Sequence, residues 1–405
     1  MRLAGTKLAA NHQYRGFGDQ LYDLSGVRPS LDLNFSANKS LIDSASGQNL
    51  VTFTRASSGT FVGSDGLIKT AVTNEPRFDH NPTTGESLGL LVEEQRTNLA
   101  FPSNMPTSVV QTTTGNMQAN GATQITSGVP APDSSTNGFT VSGASATTNS
   151  SGSNNVRILS VMAAAGTHTV SMWIKTNSSS TTVTIRDATT STGVGFVTTS
   201  SWTRITATFN NTSAGNIILL STSGTAFDCF GVQVESGSFP TSYIPTTTAT
   251  VTRSADVASI TGSNFSSWYR QDEGTLFAEF QVDANLDTIQ RQVFTFSDGT
   301  TSNRIRYHDR ASASPQFRFE VAGVSMSTSL STWNLGANKI AGSWSASSAN
   351  FGTNGTLAAL NISTVPTVNQ ITIGQEVLNH INAPIRRLTY WPQRLPDSTL
   401  QAVTQ

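Results

Sequence analysis

Apolar and polar residues alternate in short runs along most of the chain. Residues 31–35 read LDLNF, and an alternation with a period of two is typical of a half-buried strand. Similar runs recur in VTFTRAS, HTVSMWIKT, GTLFAEFQVD and APIRRLTYW. Turn residues separate them, and Ser64-Asp65-Gly66 predicts a tight hairpin turn within residues 59–71. The pattern predicts an all-β protein with antiparallel strands.

The runs divide the chain into four segments. Residues 1–28 have no sustained period and are predicted to be an extended N-terminal anchoring arm. Residues 29–99 contain short strands that we expect to pack on a jelly roll. Residues 100–253 and 254–405 each contain a ladder of short strands, which favours two antiparallel β-sandwich or jelly-roll domains in tandem. Only the ending, PDSTLQAVT, predicts one or two helical turns.

Composition narrows the classes of function. Of the 405 residues, 12% are charged, about half the usual share, and the formal net charge is −1. A charge this low gives no basic surface for nucleic acid or for membrane lipid. No segment reaches the roughly 20 apolar residues of a membrane span, and we expect no signal peptide, because the first 24 residues contain no apolar stretch of the required length. The single cysteine, Cys229, excludes an intramolecular disulfide and is predicted to be a small buried side chain.

Two adjacent acids, Glu93 and Glu94, raise the question of glycosidase chemistry, which uses two carboxylates. The stretch GLLVEEQRTNL has no helical period, so we expect an extended segment in which neighbouring side chains point to opposite faces. The two glutamates should then diverge. We expect one to pair with Arg96 or Arg77 and the other to be solvated.

A short echo links two distant segments. FTRAS at residues 53–57 is similar to VTRSA at residues 251–255. The echo indicates either equivalent strand-to-loop exits from two sheets or a coincidence in a chain rich in serine and threonine.

Several longer stretches resemble a group of tailed-phage structural proteins. They are LDLNF, FTRASSGTFVGSDGLIKTA, NEPRFDHNPTTGESLGLLVEEQRTNL, GVQVESGSFPTSYIPTTTATVTRSADV and the ending NHINAPIRRLTYWPQRLPDSTLQAVT. The resemblance covers roughly residues 29–99 and 156–405. It implies carbohydrate-binding-module-like and concanavalin A-like (laminin G-like) jelly-roll domains. It also implies that EEQRTNL is a hinge where two domains meet, with Arg96 and Asn98 binding backbone or carboxylate groups there.

The resemblance carries further expectations about partners and location. It implies a protein of the virion, made in the host cytoplasm and assembled as a homo-oligomer, most simply a homotrimer. Residues 1–28 hold apolar anchors without a packing period, so we expect them to order against other virion proteins. These apolar anchors are Leu8, Tyr14, Phe17, Leu21, Tyr22 and Leu24.

A glycan-binding role requires an aromatic platform for the apolar face of a sugar ring. Trp268 and Tyr269, in NFSSWYRQDEG, and Trp333, in SLSTWNLGANK, border loops and are the candidate carbohydrate-binding residues. Packing or a subunit contact is the competing interpretation for all three. The remaining four tryptophans lie in alternating runs or strands and are predicted to be core residues.

Catalytic and metal sites have little support in the sequence. The five histidines show no metal-binding spacing, and His308-Asp309 should diverge on a strand. We assign no catalytic residues, no metal ligands and no cofactor. Structural calcium remains open, with Asp187, Asp228 and Glu235 as possible oxygen ligands.

Three functions therefore remain open. The first is a phage tail, collar or capsid fibre, spike or decoration that assembles the particle and adheres to a host-surface glycan. The second is a polysaccharide depolymerase on a concanavalin A-like scaffold, which would need two carboxylates facing one concave sheet. The third is a structural spacer without a ligand. We favour the first and expect no enzyme activity, but fold does not decide among them.

Overall fold

The computed structural model describes residues 20–104, 113–114, 117–145, 154–162, 165–176, 178–187, 192–211, 216–221, 225–282, 290–310, 313–329, 333–377 and 379–405. Regular structure in these residues is mostly antiparallel β, arranged in sandwiches, which confirms the predicted fold class. Within the same ranges, no helix is long and apolar enough to cross a membrane. Most of the predicted arm, residues 1–19, lies outside the described residues.

The elements fall into three stretches of sequence. The first holds α1 (Gln20–Ser25), β1 (Leu31–Leu33), α2 (Phe35–Asn38), β2 (Thr52–Thr54), β3 (Gly59–Val62), β4 (Ile68–Ala71), β5 (Phe78–His80), β6 (Ser87–Val92) and β7 (Arg96–Asn98). The second holds β8 (Thr113–Thr114), β9 (Met117–Asn120), β10 (Gln124–Val129), β11 (Gly138–Ser142), β12 (Asn155–Met162), β13 (Gly166–Lys175), β14 (Thr182–Asp187), β15 (Gly193–Val197), β16 (Thr203–Asn211), β17 (Asn216–Ser221) and β18 (Phe227–Ser236).

The third stretch completes the chain. It holds β19 (Val251–Arg253), β20 (Val257–Thr261), α3 (Gly262–Ser266), β21 (Gly274–Val282), β22 (Arg291–Ser297), β23 (Arg304–Arg310), β24 (Ala313–Val321), β25 (Val324–Ser329), β26 (Gly336–Ser345), β27 (Ser348–Thr353), β28 (Thr356–Asn361), β29 (Gln370–Ile373), β30 (Gln375–Glu376), β31 (Asn379–His380), β32 (Ala383–Trp391) and α4 (Asp397–Val403). The closing helix α4 confirms the helical turns predicted from PDSTLQAVT.

The larger sandwich is built from the first and third stretches, and we call it the discontinuous sandwich. One of its sheets has the strand order β28-β27-β26-β21-β32-β6-β5, with β1 also paired to β32. The other has the order β2-β20-β29-β22-β23-β24-β25. Apolar side chains of both sheets meet between them, with Phe280, Trp344 and Tyr390 from the first and Phe296 and Tyr307 from the second.

The early strands are therefore part of the same sheets as the late ones. In β1, Leu31 lies opposite Tyr390 of β32, and both side chains are fully buried. In β2, Phe53 lies opposite Ala258 of β20. The short strands of residues 29–99 thus supply edges and core side chains to a sandwich whose other strands follow more than 150 residues later.

The second stretch forms the inserted sandwich. Its two sheets have the orders β10-β11-β18-β13-β16 and β15-β14-β17-β12-β9-β8. Ile125 and Phe139 of the first sheet and Ile185 of the second are buried in its core, as is Cys229, which confirms the prediction for that cysteine. The chain enters and leaves along a ribbon of β7 and β19, in which Asn98 lies opposite Val251.

Two local features differ from the sequence pattern. The apolar residues of LDLNF, including Phe35, are buried as the alternation predicts, but the strand itself ends at Leu33. It ends there because Asn34 caps α2 by accepting a hydrogen bond from the Ala37 N–H (3.1 Å). In addition, residues 20–28 of the predicted arm pack on the discontinuous sandwich of the same chain. Leu21 is buried against α4 and its neighbours, and Trp391 Nε1 donates to the Val27 carbonyl (2.9 Å).

Candidate functional site: the junction of the two sandwiches

Five charged side chains are buried where the ribbon leaves the discontinuous sandwich, and we call them the junction cluster. Its members are Arg55, Arg77, Glu93, Arg253 and Asp256. Each lies at or next to the end of a short strand. Their side chains are between 0% and 5% exposed. Such burial requires every charge to be paired, because an isolated buried charge is strongly unfavourable.

Asp256 forms close ion pairs with two of the arginines. Arg55 Nη1 lies 3.2 Å from its Oδ1, and Arg77 Nη2 donates to its Oδ2. The same carboxylate accepts the backbone N–H of Glu93 (2.9 Å). Asp256 therefore joins β2, β5, β6 and β20 at one point.

Glu93 binds Arg77 as well, together with the third arginine, Arg253. Its Oε2 lies 2.7 Å from Arg77 Nη1 and 3.3 Å from Arg253 Nη1. Ser242, in the loop after the last strand of the inserted sandwich, donates its N–H (2.7 Å) and its hydroxyl (2.6 Å) to the same carboxylate. Glu93 therefore binds the inserted sandwich to the discontinuous one.

Electrostatics hold Glu93 ionised. Burial alone would raise its pKa, but the charges of Arg253 and Arg77 and the hydrogen bonds from Ser242 outweigh burial and lower the pKa from 4.5 to about 2. A carboxylate with so low a pKa cannot donate a proton near neutral pH. Glu93 is suited to holding two sandwiches together and unsuited to general acid catalysis.

Glu94 takes different partners, so the predicted divergence of the two glutamates is confirmed. Its Oε1 lies 2.6 Å from Arg96 Nη2, and Asn382 exchanges hydrogen bonds with its backbone N–H and its carboxylate. Arg96 also stacks over the Phe239 ring at 4.5 Å. The expectation that one of the two glutamates would be solvated is wrong, because both are paired.

Asn98 binds backbone groups where the two sandwiches meet, as predicted. Its Nδ2 donates to the carbonyls of Val232 (3.1 Å) and Ile244 (2.9 Å). Its Oδ1 accepts the N–H groups of Ala100 and Val234, both at 3.0 Å. One buried amide thus uses both of its groups to fix the ribbon to β18 and to the loop that follows.

The two similar motifs, FTRAS and VTRSA, place their arginines beside the same carboxylate, Asp256. Arg55 and Arg253, the arginines of the two motifs, both lie within 4.0 Å of Asp256. The two motifs also touch, because the Ser254 N–H donates to Ser57 Oγ (3.0 Å). The similarity reflects two strand ends that meet at one carboxylate.

The candidate carbohydrate-binding residues lie apart from this junction. Trp268 is 5% exposed and packs in the core of the discontinuous sandwich, with Tyr390 at 5.1 Å between ring centroids. Tyr269 stacks on Phe265 (4.6 Å) and lines a cavity of about 490 Å³; burial raises the pKa of its hydroxyl. Their role in glycan binding stays a prediction.

Trp333 lies elsewhere in the same sandwich. Its Nε1 donates to the Tyr307 hydroxyl (2.7 Å), and its ring packs on Phe280 (4.9 Å). Arg291 stacks on the same ring at 4.6 Å. The structure therefore brings Trp268 and Tyr269 together and places Trp333 in a separate aromatic group. Its binding role also stays a prediction.

Two carboxylates from different sheets bind the same two arginines, which the sequence pattern did not reveal. Glu320 of β24 and Glu376 of β30 both bind Arg304 and Arg306 of β23. Burial opposes ionisation of Glu320, but the hydrogen bond from Arg304 and the charges of Arg306 and Arg304 lower its pKa. Period-two counting missed the pair, because Glu376 comes from a separate hairpin.

A serine motif also fails to form a reaction centre. Gly85–Gly89 reads GESLG, which matches the letters of a nucleophile elbow. Ser87, however, begins β6 and lies opposite His80 in the ladder, whereas an elbow requires a strand-to-helix turn. Neither Ser87 Oγ nor His80 Nε2 has a hydrogen-bond partner, so the two do not form a dyad.

The possible calcium ligands bind other groups. Asp228 accepts from Thr140 Oγ1 (2.7 Å), Glu235 binds Thr241 and Gln233, and Asp187 lies in the other sheet of the inserted sandwich. Across the described ranges, no group of three or more histidine, cysteine or acidic side chains is placed to hold a metal ion. The presence of calcium stays an open expectation.

Comparisons with known proteins give partial structural similarity. No known protein family matches the sequence, and no curated protein matches it. Solved structures that resemble part of it include the CBM40 module of the Ruminococcus gnavus IT-sialidase bound to α2,3-sialyllactose. That match has 14% identity and a TM-score of 0.28 and covers 34% of this chain and 84% of that one.

Two further matches are similarly distant. The leech intramolecular trans-sialidase has 16% identity and a TM-score of 0.27, over 33% of this chain and 23% of that one. The heptameric SAP-like pentraxin of Limulus polyphemus has 12% identity and a TM-score of 0.24, and the match covers 32% of this chain and 68% of that one. At TM-scores this low, function has to be inferred from the chain's own residues.

The lowered pKa of Glu93 predicts that the protein loses stability as the pH falls below about 5. Because the pKa of Glu93 is lower in the folded protein than in the unfolded one, its ionisation stabilises the fold fully above the unfolded value of 4.5 and progressively less as pH falls towards 2. We expect the difference in unfolding free energy between wild type and Glu93→Gln to be constant above about pH 5 and to shrink below it. Chemical denaturation at several pH values measures it.

The control for this series is Asp65→Asn, which removes an exposed carboxylate that pairs with Lys69. That variant should follow the wild-type profile, because exposed ion pairs contribute little. A difference for Glu93→Gln that stays constant down to pH 2 would contradict the assigned ionisation.

Proposed function

We propose that this protein is a structural component of a tailed-phage particle. In that role it is part of a tail, collar or capsid fibre, spike or decoration. It presents two joined β-sandwiches and adheres to a host-surface glycan. It is made in the host cytoplasm and assembles into the virion.

One observation carries the proposal. The stretches that resemble phage structural proteins supply the junction cluster: Arg55 from FTRAS, Arg77 from NEPRF, Glu93 from LVEEQ, and Arg253 and Asp256 from TRSAD. The most specific sequence features of this chain thus form a buried structural joint. A chain whose distinctive residues fix the positions of two domains is suited to assembly and display.

Open strand edges support assembly with further copies. β15 and β25 are the outer strands of their sheets, and Val197 and Val324 on them are 70% and 67% exposed. Unpaired edges with exposed apolar side chains favour association unless they are covered. A closed rotational assembly can cover them, and a homotrimer is the form that we propose.

The presence of the protein in purified phage particles tests this role. We expect antibodies against the purified protein to label particles, and we expect a chain without residues 1–19 to fold but to be lost from particles. The deletion leaves Leu21 and its packing intact.

Light scattering on the soluble protein should give three times the mass of one chain. Absence of the protein from purified particles would contradict the virion role, and a monomeric mass would contradict the trimer.

The depolymerase is the competing function, and the state of the acid pair argues against it. Glu320 and Glu376 are both bound by Arg304 and Arg306, whereas a glycosidase needs one carboxyl with a raised pKa. We expect the purified protein to release no reducing ends from bacterial surface polysaccharides. Release that disappears in both Glu320→Gln and Glu376→Gln, with folding retained, would establish the enzyme instead.

A further inference from the structure

A cleft of about 370 Å³ lies between the two sandwiches, next to the junction cluster. Trp173, Arg204 and Thr206 line it from the inserted sandwich, and Phe61 of the β3–β4 hairpin and Asp79 of the discontinuous sandwich also line it. These five side chains are all partly exposed, so the cleft is open to solvent. Its volume is within the range of about 300–1,000 Å³ that small-molecule sites occupy.

Arg204 lacks an ionic partner in this cleft. Its Nη2 donates to Ser171 Oγ (3.0 Å) and to the Thr241 carbonyl (2.7 Å), and both acceptors are neutral. Its Nε is buried without a hydrogen-bond partner. Among the residues that the structure describes, no carboxylate lies within 4.0 Å of the guanidinium. Arg291, which also lines the cleft, contrasts with it, because Arg291 pairs with Asp309 (2.7 Å).

The nearest acids are committed to other groups. Glu93 is held by two arginines and by Ser242, as described above. Glu235 accepts the Thr241 N–H (3.0 Å) and the Gln233 side chain (2.8 Å). Burial lowers the pKa of Arg204 even though Glu235, Glu93 and Asp79 act in the opposite direction. An arginine stays charged under these conditions, so a partly buried cation faces the cleft.

The rest of the lining fits a sugar ring. Trp173 lies opposite Arg204 in the β13–β16 ladder, and the guanidinium stacks on the indole at 4.7 Å. Phe61 adds a second aromatic ring, and Thr206 adds a hydroxyl. Saccharides combine an apolar C–H face with hydroxyl groups, and sites of this kind combine aromatic rings with a few polar groups.

We propose that this cleft binds an acidic saccharide unit, with the sugar carboxylate on Arg204 and the sugar ring along Trp173 and Phe61. The proposal rests on the adhesion function proposed above and names its site and ligand class. A sugar carboxylate would neutralise the charge of Arg204, whose hydrogen-bond acceptors in the protein are both neutral. Thr206 and Asp79 are placed to bind hydroxyl groups of the same unit.

The test uses an array of bacterial surface oligosaccharides that carry uronic or other carboxylated sugars, each printed beside its carboxyl-reduced form. We expect full-length protein to bind at least one acidic oligosaccharide and to lose about tenfold or more in affinity for the reduced form. Arg204→Gln should lose a similar factor. The matched control is Arg186→Gln, an arginine of the same sandwich that does not line the cleft.

A second variant guards against a folding defect in Arg204→Gln. Thr206→Trp fills the cleft from a partly exposed strand position, where a tryptophan is compatible with β structure. It should also abolish binding, and thermal unfolding should show both variants to be folded. Binding by the acidic glycan that survives both substitutions would overturn the site.

The outcomes separate this proposal from the adhesion function. Binding of neutral glycans alone, or equal binding of acidic and reduced forms, would overturn the acidic cleft and leave adhesion in place. Binding of no glycan at all would overturn both and favour a spacer without a ligand.

Discussion

The bond between Arg77 and the two carboxylates Glu93 and Asp256 is the interaction on which the rest of the molecule depends. One guanidinium contacts both acids, and Asp256 in turn binds the backbone of Glu93. Removal of Asp256 would leave the buried Arg55 without its carboxylate, and the loss of one partner of a buried ion pair generally costs about 3–5 kcal/mol. The cluster is thus stable only as a set, and all the strand ends that carry it must be in place together.

This constraint explains the order of the chain. The cluster needs residues from before and after the inserted sandwich, so the discontinuous sandwich closes only when both segments are present. The insertion leaves and returns along one short ribbon, where Asn98 lies opposite Val251. Ser242 then binds the loop of the inserted sandwich to Glu93. The cleft beside this joint has walls from both sandwiches, so its shape depends on the same contacts.

Local pattern was sufficient to predict much of the fold. Alternation identified strands such as Gly274–Val282, and Ser64-Asp65-Gly66 marked the β3–β4 hairpin. The divergence of Glu93 and Glu94 followed from the extended backbone, whereas the role of Asn98 followed only from the resemblance. In LDLNF the alternation identified Leu31, Leu33 and Phe35 as buried, but Asp32 is buried as well, and the cap at Asn34 changed the backbone after Leu33.

The site could not be predicted in the same way, because its members are far apart in sequence. Arg55 and Asp256 are 201 residues apart, and no periodicity relates them. Trp173 and Arg204 became neighbours through the register of β13 and β16, which the sequence did not specify. The echo of FTRAS and VTRSA pointed to the junction, since both arginines reach Asp256, and so did the resemblance of EEQRTNL to a domain boundary. Trp173 was predicted to be core, and its half-buried position beside Arg204 emerged only from the packing of two domains.

Buried charges thus hold the two sandwiches in one fixed arrangement. The distance distribution between spin labels on exposed positions of the two sandwiches, at Thr182→Cys and Ser302→Cys, tests this arrangement. Cys229 is fully buried and should not react with the label. We expect a single narrow distribution at neutral pH that broadens in Glu93→Gln. A broad or multiple distribution in the protein with its junction intact would show that the buried charges do not fix the two sandwiches.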